Sequence, residues 1–197
     1  MMKKVLFISF FFLAAIVFIS NQSYAQDPWT GNANFLIGSK ALDKDDWEPV
    51  ESQTELGVDV DFAPRSWPIH LAVGFLQSSD DAKLFDDYGD YKFRVTTSEL
   101  KFGIKKIWDA APMMHPYVGG GLAMINAKAK LSEIGYGSTS DDDQAIGLYV
   151  NGGIFWTLAS YLNLGFELGY SKATVDVYDV DAEAGGGHAL FLVGFHW

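Results

Sequence analysis

Four histidines, His70, His115, His188 and His196, and a scatter of serines carry most of the reactive chemistry in this chain, which has no cysteine among its 197 residues. Acyl transfer needs a hydroxyl beside an imidazole, and a third group that orients the imidazole. Only His188 is placed for such work, with Ser171 as nucleophile and a loop carboxylate as the third member. No His-x-Ser element accompanies them, so no catalytic residue is assigned. Gly119-Gly120-Gly121 precedes no helix and lacks a Lys-Ser/Thr pair, which argues against a phosphate loop. Histidines and cysteines at metal-ligand spacing are absent. Asp141-Asp142-Asp143 lacks the alternating ligands and turn glycine of a Ca²⁺ loop. No cofactor or resident metal is expected.

What must position these residues is a set of alternating segments. Trp197, Phe195, Val193, Phe191 and Ala189 share one side of an extended strand, and His196, Gly194, Leu192 and Leu190 the other. A strand ending on an indole suits a barrel wall whose aromatics sit at a membrane interface. The opposite end agrees. Lys3 and Lys4 precede an apolar run from Val5 to Ile19, and Ser23-Tyr24-Ala25 is a small-x-small cleavage signature. Residues 1–25 are therefore expected to be a signal peptide, with the mature domain spanning 26–197. The apolar run is about 15 residues, short of the roughly 20 a spanning helix needs. No later stretch is long and apolar enough for one.

Between these ends the period-two pattern recurs. Leu56, Val58, Val60 and Phe62 alternate with Glu55, Gly57, Asp59 and Asp61. Ile69, Leu71, Val73 and Phe75 alternate with His70, Ala72 and Gly74. Leu100, Phe102 and Ile104 face away from Glu99, Lys101, Gly103 and Lys105. Ile146 to Trp156 and Leu162 to Ser171 follow the same rule. Asn32 to Leu42 reads as the first strand, and Tyr117 to Asn126 as a strand whose parity the three glycines blur. With the last strand this makes eight, the even number of an all-β, antiparallel, up-and-down transmembrane β-barrel.

Connectors alternate in length. Asp43–Ser52, Ser78–Thr96, Leu131–Asp143 and Lys172–Gly186 are long; Ala63–Pro68, Trp108–His115 and Thr157–Tyr161 are short. Long loops then face outward and short turns face the periplasm. Trp67, Trp108, Trp156, Tyr161 and Trp197 collect at the periplasmic ends as an aromatic girdle, and Tyr91, Phe93, Tyr149 and Tyr170 are candidates for the upper one. The net charge of −11 is concentrated in the long loops, from Asp43, Asp45, Asp46, Glu48 and Glu51 through Asp80, Asp81, Asp86, Asp87 and Asp90 to Glu133, Asp141 to Asp143, Asp176, Asp179, Asp181 and Glu183. Such acidity excludes nucleic acid as a partner. It solvates the outer rim, and divalent cations bridging it to lipopolysaccharide are a second reading.

Inward positions include Glu55, Asp59, Asp61, His70, Lys101, Lys105, Asn151, Asn163 and Glu167. Eight strands enclose a bore that side chains fill, so these charges are expected to pair across a plugged lumen, with inward glycines making room for the long chains opposite.

His115 to Ile125 (HPYVGGGLAMI), Asn163 to Ser171 (NLGFELGYS) and the closing ALFLVGFHW resemble the OmpA/opacity-type outer-membrane β-barrel domain family over the mature chain. That resemblance implies a structural, adhesion or small-solute role in the outer membrane, without the peptidoglycan-binding domain and without catalytic residues. Expected partners are outer-membrane lipids, lipopolysaccharide and the barrel-assembly machinery, the last through the strand ending at Trp197, and a monomer is expected. The alternatives are a narrow pore, a lipid A-modifying enzyme resting on His188, and a soluble periplasmic lipocalin-like binder.

Overall fold

The computed structural model describes residues 28–86, 89–133, 137–178 and 180–197. The expected signal peptide, with Asp87 and Asp179, lies outside the described residues, as do the side chains of Asp86, Asp90 and Glu133.

Eight antiparallel strands close a single ring: β1 (Trp29–Ala41), β2 (Ser52–Pro64), β3 (His70–Asp86), β4 (Gly89–Ile107), β5 (Met114–Glu133), β6 (Gly137–Leu158), β7 (Leu162–Lys172) and β10 (Gly186–His196). Two further strands, β8 (Thr174–Val177) and β9 (Val180–Glu183), form a separate hairpin, and one helical turn, α1 (Lys44–Trp47), precedes β2. Asp43 caps that turn by accepting a hydrogen bond from the Asp45 amide at 2.9 Å. The ring shuts where β10 pairs with β1, Asn32 opposite His196 and Ala41 opposite Gly187. Gly31 and Trp197 exchange both backbone hydrogen bonds at the lower end of that seam.

The polarity is inverted relative to a soluble fold. Phe35, Ile37, Phe102, Ile104, Ile146, Leu148, Phe166, Leu168, Phe191, Val193 and Phe195 stand on the outer surface, Ile146 at 74 % exposure. Glu55, Asp61, Glu99, Lys101, Lys105, Asn163 and Glu167 are buried inside. Water would not tolerate so continuous an apolar belt, whereas hydrocarbon requires it. β7 and β10, at 11 residues each, match the length a tilted strand needs to cross a bilayer. The inside-outside assignment expected from the alternation holds on the strands that carry it. On β5, whose parity the glycines blur, Tyr117, Ala123 and Ile125 are buried while Val118 and Leu122 face out. The three glycines therefore sit within an unbroken ladder.

Two of the expected long loops are strand instead. β3 and β4 pair without interruption to Asp86 opposite Gly89, and β5 and β6 to Glu133 opposite Gly137. β2 leaves β3 after Thr54 opposite Ser79, and β7 leaves β6 after Lys172 opposite Leu148. A wall of four strands thus rises above the rest of the ring, from Ser79 to Asp86 on β3 and from Leu148 to Gly137 on β6, roughly 25–35 Å of strand. Its outward side chains, such as Arg94, Lys128 and Lys130, are polar and its inward ones, such as Val95, Ala127 and Ala129, are apolar, so alternation keyed to lipid contact gives no sign of it. Of the remaining two connectors, Asp43–Ser52 holds α1 and Lys172–Gly186 holds the β8–β9 hairpin.

The lower girdle is as expected: Trp67, Trp108, Trp156, Tyr161 and Trp197 are exposed at the ends joined by short turns, with Trp29 beside them. The upper set needs correction. Tyr170 faces out, but Tyr149 points inward and is buried, and Phe93 packs against the buried apolar cluster at the outer end.

Candidate functional site

The lumen contains two polar clusters stacked along its axis, with an apolar lid above them. The lower cluster centres on Lys105 of β4, whose ammonium reaches Asp59 and, at 3.2 Å, Asp61, both from β2. Asp61 also accepts a hydrogen bond from Asn32 Nδ2 at 2.8 Å and faces His70 Nδ1 at 2.8 Å. Asn163 donates to Asn32 at 2.9 Å, and His196 Nδ1 lies 3.1 Å from the same Asn32 oxygen. Alongside, the Tyr117 hydroxyl donates to Glu167 at 2.7 Å, and Lys101 lies 3.8 Å from the other Glu167 oxygen. Lys105 and Lys101 sit over the rings of Tyr117 and Tyr149 at 4.9 and 5.3 Å, positions that cation–π attraction favours.

The inward glycines make room chiefly for tyrosine. A side chain at Gly103 would meet the Tyr149 hydroxyl at 2.6 Å, and one at Gly153 the Tyr117 hydroxyl at 2.7 Å. Among the described glycines, Gly74 is the one that faces the long charged chains anticipated there, with Lys101 and Asp59 as neighbours.

Strand parity accounts for the upper cluster only in part. Lys40 of β1, fully buried, donates to Glu99 at 2.5 Å, Thr97 at 3.1 Å and the Ala184 carbonyl at 2.8 Å. Ser78 donates to Gln53 at 2.6 Å and lies 2.6 Å from the Thr97 hydroxyl. His188 bridges Glu55, 2.9 Å from Nδ1, and Ser171, 3.0 Å from Nε2. The Ser–His pair singled out from sequence is therefore assembled, but its carboxylate comes from inside the barrel on β2 and not from a loop. Ser171 also hydrogen-bonds Glu99 at 3.1 Å and is fully buried. Gln53, Ser78 and Thr97 escape the sequence reading because they lie at or beyond the ends it assigns to their strands, whereas Lys40 lies inside the first one. The parity of Lys40 with Asn34 is the available signal.

Above this cluster the lumen turns apolar. Trp47 and Val50 from the first outer connector, Val175 and Val177 from β8, and Ala182 and Ala184 pack against Val95, Ile125, Ala127 and Ala129 on the inner face of the tall wall. Polar bonds fasten the lid at its margins. Trp47 Nε1 donates to the Glu183 carbonyl at 2.7 Å, and the Glu183 amide donates to Asp46 at 2.8 Å. The amides of Asp176 and Tyr178 donate to Asp143 and Asp141 at 2.9 and 2.7 Å. Further out, Asp81 pairs with Lys92 and Arg94, and Asp142 with Lys128. Much of the rim acidity is thereby engaged within the chain. An open apolar groove of about 580 Å³ remains between lid and wall, lined by Pro49, Phe93, Leu131 and Tyr178.

One pH response follows. Backbone amides of Asp176 and Gln144 hold the Asp143 carboxyl below its ordinary 3.8. A depressed carboxyl contributes stability that is complete above the ordinary value and is lost as pH falls through the lower folded one. Below about pH 4 the amides of β8 should therefore lose protection in hydrogen exchange before the barrel strands do. Equal protection of β8 at about pH 3 and pH 7 would contradict this.

His70 and His196 belong to the lower cluster. His115 faces Asp109 at 3.0 Å at a short turn and touches neither cluster.

Among proteins of known structure the chain is similar to eight-stranded outer-membrane β-barrels. It is similar to Ail, the attachment invasion locus protein of Yersinia pestis, solved with the heparin analogue sucrose octasulfate (TM-score 0.60, 13 % identity, 87 % of this chain and 100 % of that one). It is also similar to a major outer membrane protein of Thermus thermophilus (0.58, 10 %, 87 % and 100 %) and to OprG of Pseudomonas aeruginosa (0.51, 11 %, 86 % and 95 %). No protein-family model matches the sequence, and no curated protein is similar to it. The fold is that of the outer-membrane barrels, as the resemblance in sequence implied.

Proposed function

We propose that this integral outer-membrane barrel, standing as a monomer in contact with lipid and lipopolysaccharide, acts through its outer end in a structural or surface-interaction role. The observation that supports this is the double closure of the bore: the lumen is filled by paired charges, and a folded lid packs over them. Polar groups fixed by several partners do not rearrange cheaply in a low-dielectric interior. The tall wall, the lid and the groove beside it are what the protein offers to its surroundings. The closing strand with Phe195 and Trp197 on its outer face is the segment through which the assembly machinery would recognise it.

The Ser171–His188–Glu55 relay serves as lumen packing in this reading. A nucleophile needs a substrate path and oxyanion donors, whereas Ser171 is sealed beneath the lid and donates its single proton to Glu99. The acidic rim also distinguishes this chain from a binder of sulfated sugars, since Asp141, Asp142, Asp143, Asp176 and Asp181 would face the polyanion. A basic partner, or one reached through a divalent cation, suits it better.

Reconstituted into planar bilayers, the folded, heat-modifiable barrel should show no conductance above the bare membrane. Reproducible unitary steps would overturn the closed-barrel reading and establish the narrow pore.

A further inference from the structure

The upper cluster contains two buried carboxylate oxygens without a partner. Glu55 Oε1 and Glu99 Oε2 accept no hydrogen bond, although both residues are essentially inaccessible to solvent. Each belongs to a carboxylate whose other oxygen faces the same imidazole, at 2.9 Å from Nδ1 and 3.6 Å from Nε2 of His188. Orphaned buried acceptors are rare in native proteins and call for an ion or a water. Lys40 does not reach them. Its ammonium is held by Glu99 Oε1, Thr97 and the Ala184 carbonyl.

The three side chains offer one ligand atom each, all within 4.8 Å of one another. An ion at about 2.0–2.2 Å from each ligand needs those atoms a little over 3 Å apart, so binding draws the three side chains together. With His188 neutral, as a ligand must be, two carboxylates stand against one ammonium, and the site favours added positive charge. We propose that Glu55, Glu99 and His188 form a buried site for one divalent first-row transition ion, joining β2, β4 and β10 at the outer end of the lumen. One imidazole nitrogen with two carboxylates suits Zn²⁺ or Mn²⁺, and the single nitrogen speaks against the all-oxygen preference of Ca²⁺ and Mg²⁺. Ser171, bonded to both His188 and Glu99, is placed to hold the ligands in orientation. No spacing in the sequence announces the site, because its members come from three strands far apart in the chain. It lies under the lid, so the ion enters during folding or when the lid opens.

The barrel is refolded in detergent with and without Zn²⁺, passed through a chelating column, and its retained metal is measured per folded, heat-modifiable molecule. One Zn²⁺ per barrel is expected, with affinity rising with pH as ligand protons are displaced. His188→Asn, which removes a ligand, should weaken binding by more than the roughly 10–100-fold that loss of an outer-shell partner costs, and Asp61→Asn, which alters only the lower cluster, should not. Because a variant can fail to fold, Co²⁺ absorption of the wild-type barrel supplies the second readout: visible d–d bands of a nitrogen-oxygen site. No retained metal and no such bands in the folded wild-type barrel would overturn the proposal, leaving a proton on His188 or a water to satisfy the cluster. So would undiminished retention by folded His188→Asn, which would place the metal on the acidic rim.

Discussion

Replacing Lys105 by Met should lower the unfolding free energy by about 3–5 kcal/mol, the usual consequence of removing one partner from a buried ion pair. Lys105 is the cation shared by Asp59 and Asp61 at the centre of the lower cluster, and all three are buried. Methionine keeps most of the volume and removes the charge, leaving two carboxylates in a low-dielectric bore. Urea titration in lipid vesicles, followed by loss of the fast-migrating unheated band, reads the effect. Neutralising the partners as well, with Asp59→Asn and Asp61→Asn in the same chain, should recover much of it. The deficit belongs to uncompensated charge and not to a lost intrinsic attraction. A single variant within about 1 kcal/mol of the parent would mean that water reaches the cluster, and the description of a filled bore would fall with it.

The second large effect is local. Trp47→Ala should release the lid, because the indole is buried among Val50, Val175 and Ala184 and its nitrogen holds the Glu183 carbonyl. Truncating a buried Trp costs about 3–5 kcal/mol. The β8–β9 hairpin shares no strand pairing with the ring, so the loss falls on the hairpin. Amides of β8 and β9 should exchange at close to unfolded rates while those of β1, β7 and β10 keep their protection. The heat-modifiable band should be unchanged, and conductance should stay absent because both charge clusters remain beneath. Collapse of the whole barrel in this variant would show that lid and ring unfold as one unit.

The ring itself is legible in the sequence because lipid outside and a narrow bore inside impose opposite demands on successive residues. Leu56 to Phe62 against Glu55 to Asp61, and the final nine residues, carry that signature in full. It fades where the lipid stops. Above it Lys128, Lys130 and Ser140 face water and Val95, Ala127 and Ala129 face inward, so the sense of the alternation is reversed and a pattern keyed to lipid does not find it. The tall wall stays hidden for that reason. The lid stays hidden for another: Val175, Val177 and Ala182 alternate as a strand does, but their partners are Trp47 and Ile125, which only the closed ring brings near. The upper charge cluster combines both failures. Lys40 and Gln53 sit at strand ends, and Glu55, Glu99 and His188 meet only across the bore. Sequence alone pairs His188 with Ser171, but it seeks the carboxylate that orients the histidine on the wrong side of the barrel wall.

The seam between β1 and β10 bears on how fast the molecule can form. Asn32 and His196 are 164 positions apart and are hydrogen-bonded across it, while each of the other wall-to-wall pairings joins strands much nearer in sequence. Every hairpin can form early, yet the ring cannot lock until the most distant pairing is made. Its loop-closure entropy comes due before the last hydrogen bonds offset it. Until then β1 and β10 are both open edges bearing apolar outer faces, the kind of surface that pairs with a neighbour's. The interval between synthesis and closure is thus the stage at which this chain is most exposed to misassociation with its neighbours.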